Sequence, residues 1–199
     1  MKPRGHRRCG WFVAIFLMIP GLAWSAEFSA QMMVKEGGKI MPGKIFFQNG
    51  KMRQEFQDEE GQTITIVRPD KKKIWVVLPQ DRTYLEIALK TCLPGQFIQI
   101  PPDALQKRLV GTETVCGYVA DKYEVTVRGG KEGLEKQTFW MPKKLGVPIK
   151  VVCQDRDFCV EYRSIKEGGV AERLFDLPPG FKKVNHLTGF TKKVREEVE

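Results

Sequence analysis

The stretch TITIVRPDKKKIWVVLPQDRTYLEIAL, residues 63–89, decides the fold class because it holds three short β-type runs separated by turn residues. The runs span 63–67, 73–78 and 83–89 and are rich in β-branched and aromatic residues. The middle run, whose core is IWVVL, is apolar at successive positions, so we expect it to lie mid-sheet with both faces covered. Consecutive short strands of this kind predict an antiparallel meander.

The same pattern continues in both directions from this stretch. Upstream, Phe28, Ala30, Met32 and Val34 alternate with polar residues, and Asn49-Gly50 is a hairpin signal. The other predicted strands are 39–48, 51–57, 115–128, 136–141, 147–153 and 158–165. The sequence therefore predicts a mainly β domain with about ten strands.

Residues 90–109 differ from their surroundings because they are rich in Pro, Ile and Leu and do not alternate. Within them, 102–109 could form a short helix with Leu105 and Leu109 one turn apart. We expect this segment to cover an open face of the sheet as a lid made of a short helix and loop.

The first 25 residues have the features of a secretory signal peptide. Lys2, Arg4, Arg7 and Arg8 precede an apolar stretch, 11–22, that is shorter than the roughly 20 residues of a membrane-spanning helix. Cleavage is expected after Ser25 or Ala26, and an uncleaved anchor is the alternative. The remainder should be a soluble periplasmic domain over 26–184 with a C-terminal tail over 185–199, and it contains no second stretch long enough to span a membrane.

The charge and the residue types limit the classes of function that the sequence predicts. Four of the 33 basic residues precede residue 26, which leaves a net charge near +5 on the rest. No basic stripe interleaved with aromatics is present, so nucleic acid is not an expected partner. No nucleophile elbow, H-E-x-x-H motif or glycine-rich phosphate loop occurs, so we expect no enzyme, cofactor or metal.

Four cysteines follow the predicted signal peptide, and in an oxidising compartment they should form two disulfides. Cys153 and Cys159 flank a turn-like segment, and equal distances from the turn would place them opposite each other. We therefore expect Cys153–Cys159, and Cys92–Cys116 by elimination.

Several phrases resemble a known family. The first half contains GKI at 43–45, KMR at 51–53, TIVRPDK at 65–71 and IWV at 74–76. The second half contains GTETV at 111–115, FWM at 139–141 and FDLPPGF at 175–181. Together they resemble an uncharacterised exported family of the LolA/LolB-like lipoprotein-carrier superfamily. The resemblance implies a single curved antiparallel sheet, an incomplete β-barrel, whose hollow is covered by helix or loop.

The resemblance also implies a non-enzymatic binding protein for an acyl chain, a lipid or the lipid moiety of a lipoprotein. The alternative is an envelope module that docks a protein partner without a lipid. Candidate wall residues of the hollow are apolar, and each could instead be ordinary core: Met32, Met41, Phe46, Trp75, Leu93, Phe97, Ile98, Ile100, Trp140 and Met141.

Overall fold

The computed structural model describes residues 26–59, 61–89, 99–129 and 133–185, and it places them in one open sheet of twelve strands. The strands are β1 (Glu27–Glu36), β2 (Lys39–Gln48), β3 (Lys51–Asp58), β4 (Gly61–Arg68), β5 (Lys73–Leu78), β6 (Thr83–Ala88), β7 (Gln106–Val115), β8 (Tyr118–Arg128), β9 (Leu134–Pro142), β10 (Lys150–Cys153), β11 (Phe158–Glu167) and β12 (Lys182–Val184). Three short 3₁₀ turns, Pro69–Lys71, Gln154–Arg156 and Glu172–Phe175, complete the regular structure of these residues. The predicted fold class, mainly β with an open sheet that does not close into a barrel, is confirmed.

Two antiparallel meanders make up the sheet. Strands β1 to β6 follow one another, and strands β7 to β11 do the same. The meanders join where β1 pairs antiparallel with β11, so the first strand lies in the middle of the sheet. The final strand, β12, departs from the antiparallel pattern because it pairs parallel with β6 at one edge. The other edge is β7.

The strand bounds follow the hydrophobic pattern where one or both faces are buried. The predicted strands 39–48 and 73–78 have the observed bounds, and IWVV within β5 is buried on both faces, as expected. The predicted strand 115–128 instead divides at a turn, with Cys116 and Gly117 both at positive φ.

The predicted helix at 102–109 is wrong. Residues 106–109 begin β7, and 102–105 have turn, bend or irregular backbone instead of helix. Leu105 and Leu109 are exposed at the sheet edge rather than buried on one face of a helix. The first part of the expected lid, 90–98, lies outside the described residues, as do the expected signal peptide and most of the expected tail. Ile100 and Ala104 do pack against a buried cluster of the sheet.

A C-terminal segment covers part of the sheet. Residues 170–181 place Val170 and Phe175 against Ile66 and Trp75 of β4 and β5. Two side chains of the sheet hold this segment through its carbonyls: Gln48 Nε2 donates to Val170 O at 2.8 Å, and Arg53 Nη1 donates to Leu174 O at 3.0 Å.

Arg68 is the central anchor of that segment. Its buried guanidinium donates to Phe175 O at 3.0 Å and to Asp176 Oδ1 at 2.7 Å, and it makes a two-point contact with Asp70 at 2.7 and 2.9 Å. The hydrogen bonds from Arg68 lower the pKa of Asp70 to about 2.

The described residues include no helix that is long and apolar enough to cross a membrane.

Candidate ligand-binding face

One face of the sheet carries a row of apolar side chains across the first meander. Phe28 of β1 lies opposite Phe47, and the pairing continues through Met52, Val67, Ile74 and Ile87 on successive strands. Residues paired across neighbouring strands share a face, so these six side chains form one line perpendicular to the strands. All except Ile87 are buried, and Phe28 stacks on Phe47 with ring centroids 5.6 Å apart.

A second row crosses the other meander on the same face. Val34 of β1 lies opposite Val160, and the line continues through Val151, Phe139, Tyr123 and Leu109. Val34 shares its face with Phe28 because the two residues are six positions apart on one strand. We call the surface formed by these two rows and their neighbours the apolar face. It extends over eleven strands, and no helix among the described residues lies over it.

Gly43 allows a close approach on this face. A Cβ at Gly43 would lie 2.7 Å from Glu55 O and 3.1 Å from the ring of Phe56, which is its neighbour on β3. The half-buried Phe56 ring therefore occupies the space that a side chain at position 43 would take.

A few polar groups interrupt the apolar face. Gln137 lies between Val125 and Cys153 in the cross-strand order, and its Nε2 donates to Glu135 Oε1 at 2.5 Å. Arg156 Nε lies 3.1 Å from Glu135 Oε2, so the buried carboxylate has a cationic partner. Burial, followed by the nearby Glu135, raises the pKa of the Cys153 thiol to about 12, so it stays protonated at neutral pH. Within the described ranges, no group of three His, Cys, Asp or Glu side chains could hold a metal ion.

The opposite face carries two tryptophans with matching environments. Trp75 Nε1 donates to Glu86 Oε2 at 3.0 Å, and Lys73 and Lys183 also contact that carboxylate. These three donors lower the pKa of Glu86 to about 2. At the other end of the sheet Trp140 Nε1 donates to Glu113 Oε2 at 2.9 Å. Lys122 and Lys150 lie 5.0 and 5.1 Å from the Trp140 ring.

The predicted wall residues do not share one surface. Four of the candidates belong to the apolar face or pack against its clusters, namely Met32, Met41, Ile100 and Met141. By strand register, the opposite face carries Phe46, Trp75 and Trp140. Trp75 belongs to the buried cluster that also contains Val170 and Phe175, and Phe46 packs against that cluster. Trp140 belongs to the buried cluster that contains Met32. Leu93, Phe97 and Ile98 lie outside the described residues. Strand alternation therefore places Phe46, Trp75 and Trp140 on the face opposite to Met32, Met41 and Met141, and contact of any of these side chains with a ligand stays a prediction.

Sequence reasoning missed several side chains that form the centre of the apolar face. The side chains that are almost completely buried there are Phe28, Ile45, Met52, Val67 and Ile74. The available signal was the period-two alternation of each strand, which indicates which residues share a face within that strand. The register between strands then extends the face from β1 to its neighbours.

The expected disulfide Cys153–Cys159 is wrong. Cys153 lies opposite Phe158, and Cys159 lies opposite Val152, so the two thiols are one register position apart and point to opposite faces. Both are free cysteines, and so is the exposed Cys116. The structure therefore does not show the expected Cys92–Cys116 bond, and Cys92 lies outside the described residues.

Residues 29–147 match the family described as a domain of unknown function, DUF4412. The chain belongs to the DUF4412 family. No curated protein matches it.

Two solved structures show which fold this DUF4412 protein has. An uncharacterized conserved protein from Thermus thermophilus is 13% identical with a TM-score of 0.53, over 80% of this chain and 90% of that one. MucB of Pseudomonas aeruginosa, solved in complex with MucA, is 15% identical with a TM-score of 0.50, over 76% of this chain. This protein spans 56% of that MucA/MucB chain's length. At these identities the two likenesses show a shared fold and nothing beyond it.

Proposed function

We propose that this DUF4412 protein is a non-enzymatic binding protein that holds an acyl chain, a lipid or the lipid moiety of a lipoprotein against its apolar face. The observation that carries the proposal is a single-layer sheet whose apolar face continues over eleven strands without a helix over it among the described residues. A sheet face of this extent must be covered by chain or by ligand, because exposed apolar area is unfavourable in water.

The side chains of the apolar face suit an elongated and variable apolar ligand. Met32, Met41, Met52 and Met141 all contribute to it. Methionine is unbranched and polarizable, so it adapts to ligands of different shape. Each ligand methylene that leaves water contributes about 0.8 kcal/mol, so a short length of acyl chain is enough for measurable affinity.

Burial indicates where a ligand would enter. The centre of the face is closed, since Phe28, Met52 and Ile74 have no exposed area. Met41, Phe56 and Ile87 are half-buried and pack at the margin of the same cluster. We therefore place the first contact with a ligand at this margin, with access to the centre requiring displacement of the side chains that cover it.

Two neighbouring residues allow a matched test of this proposal. Met41 belongs to the apolar face, whereas Ile40 points to the opposite face and is 63% exposed. We expect Met41→Glu to weaken binding of a fluorescent fatty-acid probe roughly tenfold, because a carboxylate next to an acyl chain costs free energy. Ile40→Glu introduces the same group one residue away and should leave the probe affinity unchanged.

The measurement is a fluorescence titration of protein purified after expression of the full-length chain, with urea unfolding as a check on folding. Equal effects of the two substitutions on probe affinity would contradict binding of the ligand at the apolar face. The absence of saturable binding in the wild-type protein, together with no co-purified lipid, would contradict the lipid proposal itself.

The proposal includes export, with residues 1–25 removed as a signal peptide, 26–184 as a periplasmic domain and 185–199 as a tail. Its support is the charge and apolar pattern of the N-terminus. Finding Met1 at the N-terminus of protein purified from the periplasm would contradict the removal of residues 1–25.

A protein-docking module is the second candidate. MucB, whose fold is similar, was solved in complex with MucA. The observation that favours docking here is the edge strand β7, of whose ten residues nine are exposed. Failure of lipid binding in the titration above would make docking the better account.

A further inference from the structure

Strand β7 is an open edge of the sheet in the part of the chain that the structure describes. It pairs with β8 on one side only, and residues 106–114 are all exposed. Leu105, Leu109 and Val110 contribute exposed apolar area along it. The opposite edge strand among the described residues, β12, has only three residues. A long open edge is a template for pairing with a further strand.

The edge carries features that exclude most partners. A β-bulge lies between Leu109 and Gly111, and Lys107 and Arg108 precede it. Bulges and charged side chains on edge strands act against indiscriminate pairing. A suitable partner strand must therefore match both the irregularity and the charges.

The bulge changes which side chains share a face. Arg108 lies opposite Glu124 of β8, and Glu113 lies opposite Ala120. Glu124 and Ala120 are four residues apart on a regular strand, so Arg108 and Glu113 point to the same face although five positions separate them. In a regular strand two residues at this spacing would point to opposite faces.

We propose that β7 pairs with β7 of a second copy of this chain, antiparallel about a two-fold axis between Val110 and Gly111. In this register Arg108 of each copy lies opposite Glu113 of the other, on the same face of a continuous sheet. Each bulge faces the other bulge, so neither strand has an unmatched residue. Leu109 lies opposite Thr112, and Lys107 opposite Thr114, so no like charges meet.

Contacts within each chain hold Arg108 and Glu113 on the face where the proposed pairs between the two copies form. Arg108 Nη2 lies 2.5 Å from Glu124 Oε2, which holds the guanidinium on that face while its side chain stays 65% exposed. Glu113 receives hydrogen bonds from Trp140 and Lys122 on the same face. A register shift of two residues would place Arg108 opposite Gly111 or Val115 and lose both ion pairs, so charge selects the symmetric register. The contact area of one strand pair is small, and we expect a reversible, concentration-dependent dimer.

Complementary charge reversals test the proposal by sedimentation velocity over a range of protein concentration. The wild-type protein should dimerise, and Arg108→Glu alone and Glu113→Arg alone should each weaken dimerisation at least tenfold. An equimolar mixture of the two variants should regain it, because a heterodimer has two opposite-charge pairs where each homodimer has two like-charge pairs. Arg128→Glu, the same change on β8 away from the edge, is the matched control and should leave dimerisation unchanged.

Hydrogen exchange provides a second measurement on the wild-type protein, since amides of 106–115 should gain protection as concentration rises. A wild-type protein that stays monomeric at every concentration would overturn the proposal, as would equal effects of Arg108→Glu and Arg128→Glu. An unchanged fatty-acid probe affinity in Arg108→Glu would show that this interface is separate from the apolar face, so the lipid proposal can fail or hold independently.

Discussion

Arg68 is the residue on which the packing of the C-terminal segment most depends. Its guanidinium is nearly completely buried and joins the end of β4 to Asp70, to Asp176 and to the Phe175 carbonyl. Phe175 itself has no exposed area. Arg68 thus links a turn of the first meander to a segment more than a hundred residues later, and its planar group suits several directed hydrogen bonds at once.

Replacing Arg68 should therefore destabilise the fold. We expect Arg68→Met to lower the free energy of unfolding by about 2–3 kcal/mol, because the Phe175 carbonyl and two carboxylates lose a charged donor. Lys71→Met is the control, since Lys71 contacts Asp176 at 3.4 Å on the exposed side, and its loss should cost less than about 1 kcal/mol. Urea unfolding measures both, and similar values for the two variants would contradict the role of Arg68.

Glu86 predicts how stability changes in acid. Its pKa lies at about 2 instead of 4.5, because Trp75, Lys183 and Lys73 donate to the ionised carboxylate. A lowered pKa in the folded state gives stabilisation that is complete above about pH 4.5 and lost as the pH falls through about 2. We expect Glu86→Gln to flatten the pH dependence of the unfolding free energy in this interval. Parallel curves for wild type and variant, measured by urea unfolding at each pH, would contradict this.

Among the elements, the β2–β3 pair depends on Gly43. An alanine methyl there would meet a backbone carbonyl, which cannot move without shifting β3. We expect Gly43→Ala to lower the free energy of unfolding by about 1–3 kcal/mol through overpacking. Gly129→Ala is the matched control, because its Cβ would have only ordinary contacts at 3.5 Å, and its effect should stay within about 0.5 kcal/mol. A neutral Gly43→Ala would show that the strands separate easily at this point.

Strands with buried side chains were predictable, whereas the exposed edge strand was missed. Strand β5 was predicted with its observed bounds because IWVVL has both β propensity and burial. Strand β7 was missed because nearly all its residues are exposed, so its sequence has no alternation of apolar and polar residues that would predict a strand. The wrong prediction of a Cys153–Cys159 disulfide has a different cause. A change of one residue in the length of the turn changes which residues lie opposite each other, and here Cys153 lies opposite Phe158.

For the whole molecule, the sequence predicted an open β fold but only part of the candidate site. Met32 and Met41 could be assigned to one surface with Phe28 because they follow its alternation or its partner strand. Hydrophobicity alone predicts that Trp75 and Trp140 belong with them, but the register places both tryptophans on the other face. Which face a side chain shares with a distant strand depends on cross-strand register, which is a property of the assembled sheet.

The central position of β1 has a consequence for how the chain reaches this structure. Pairs within each meander are close in sequence, whereas Met32 pairs with Tyr162 across the junction of the two meanders. Local contacts form quickly, and contacts between distant residues form slowly. During synthesis the first meander can therefore assemble early, but one side of β1 must wait for β11. Until then β1 is an uncovered apolar edge, so the half-made chain is more prone to aggregation than the finished protein, and the joining of β1 to β11 should limit the folding rate.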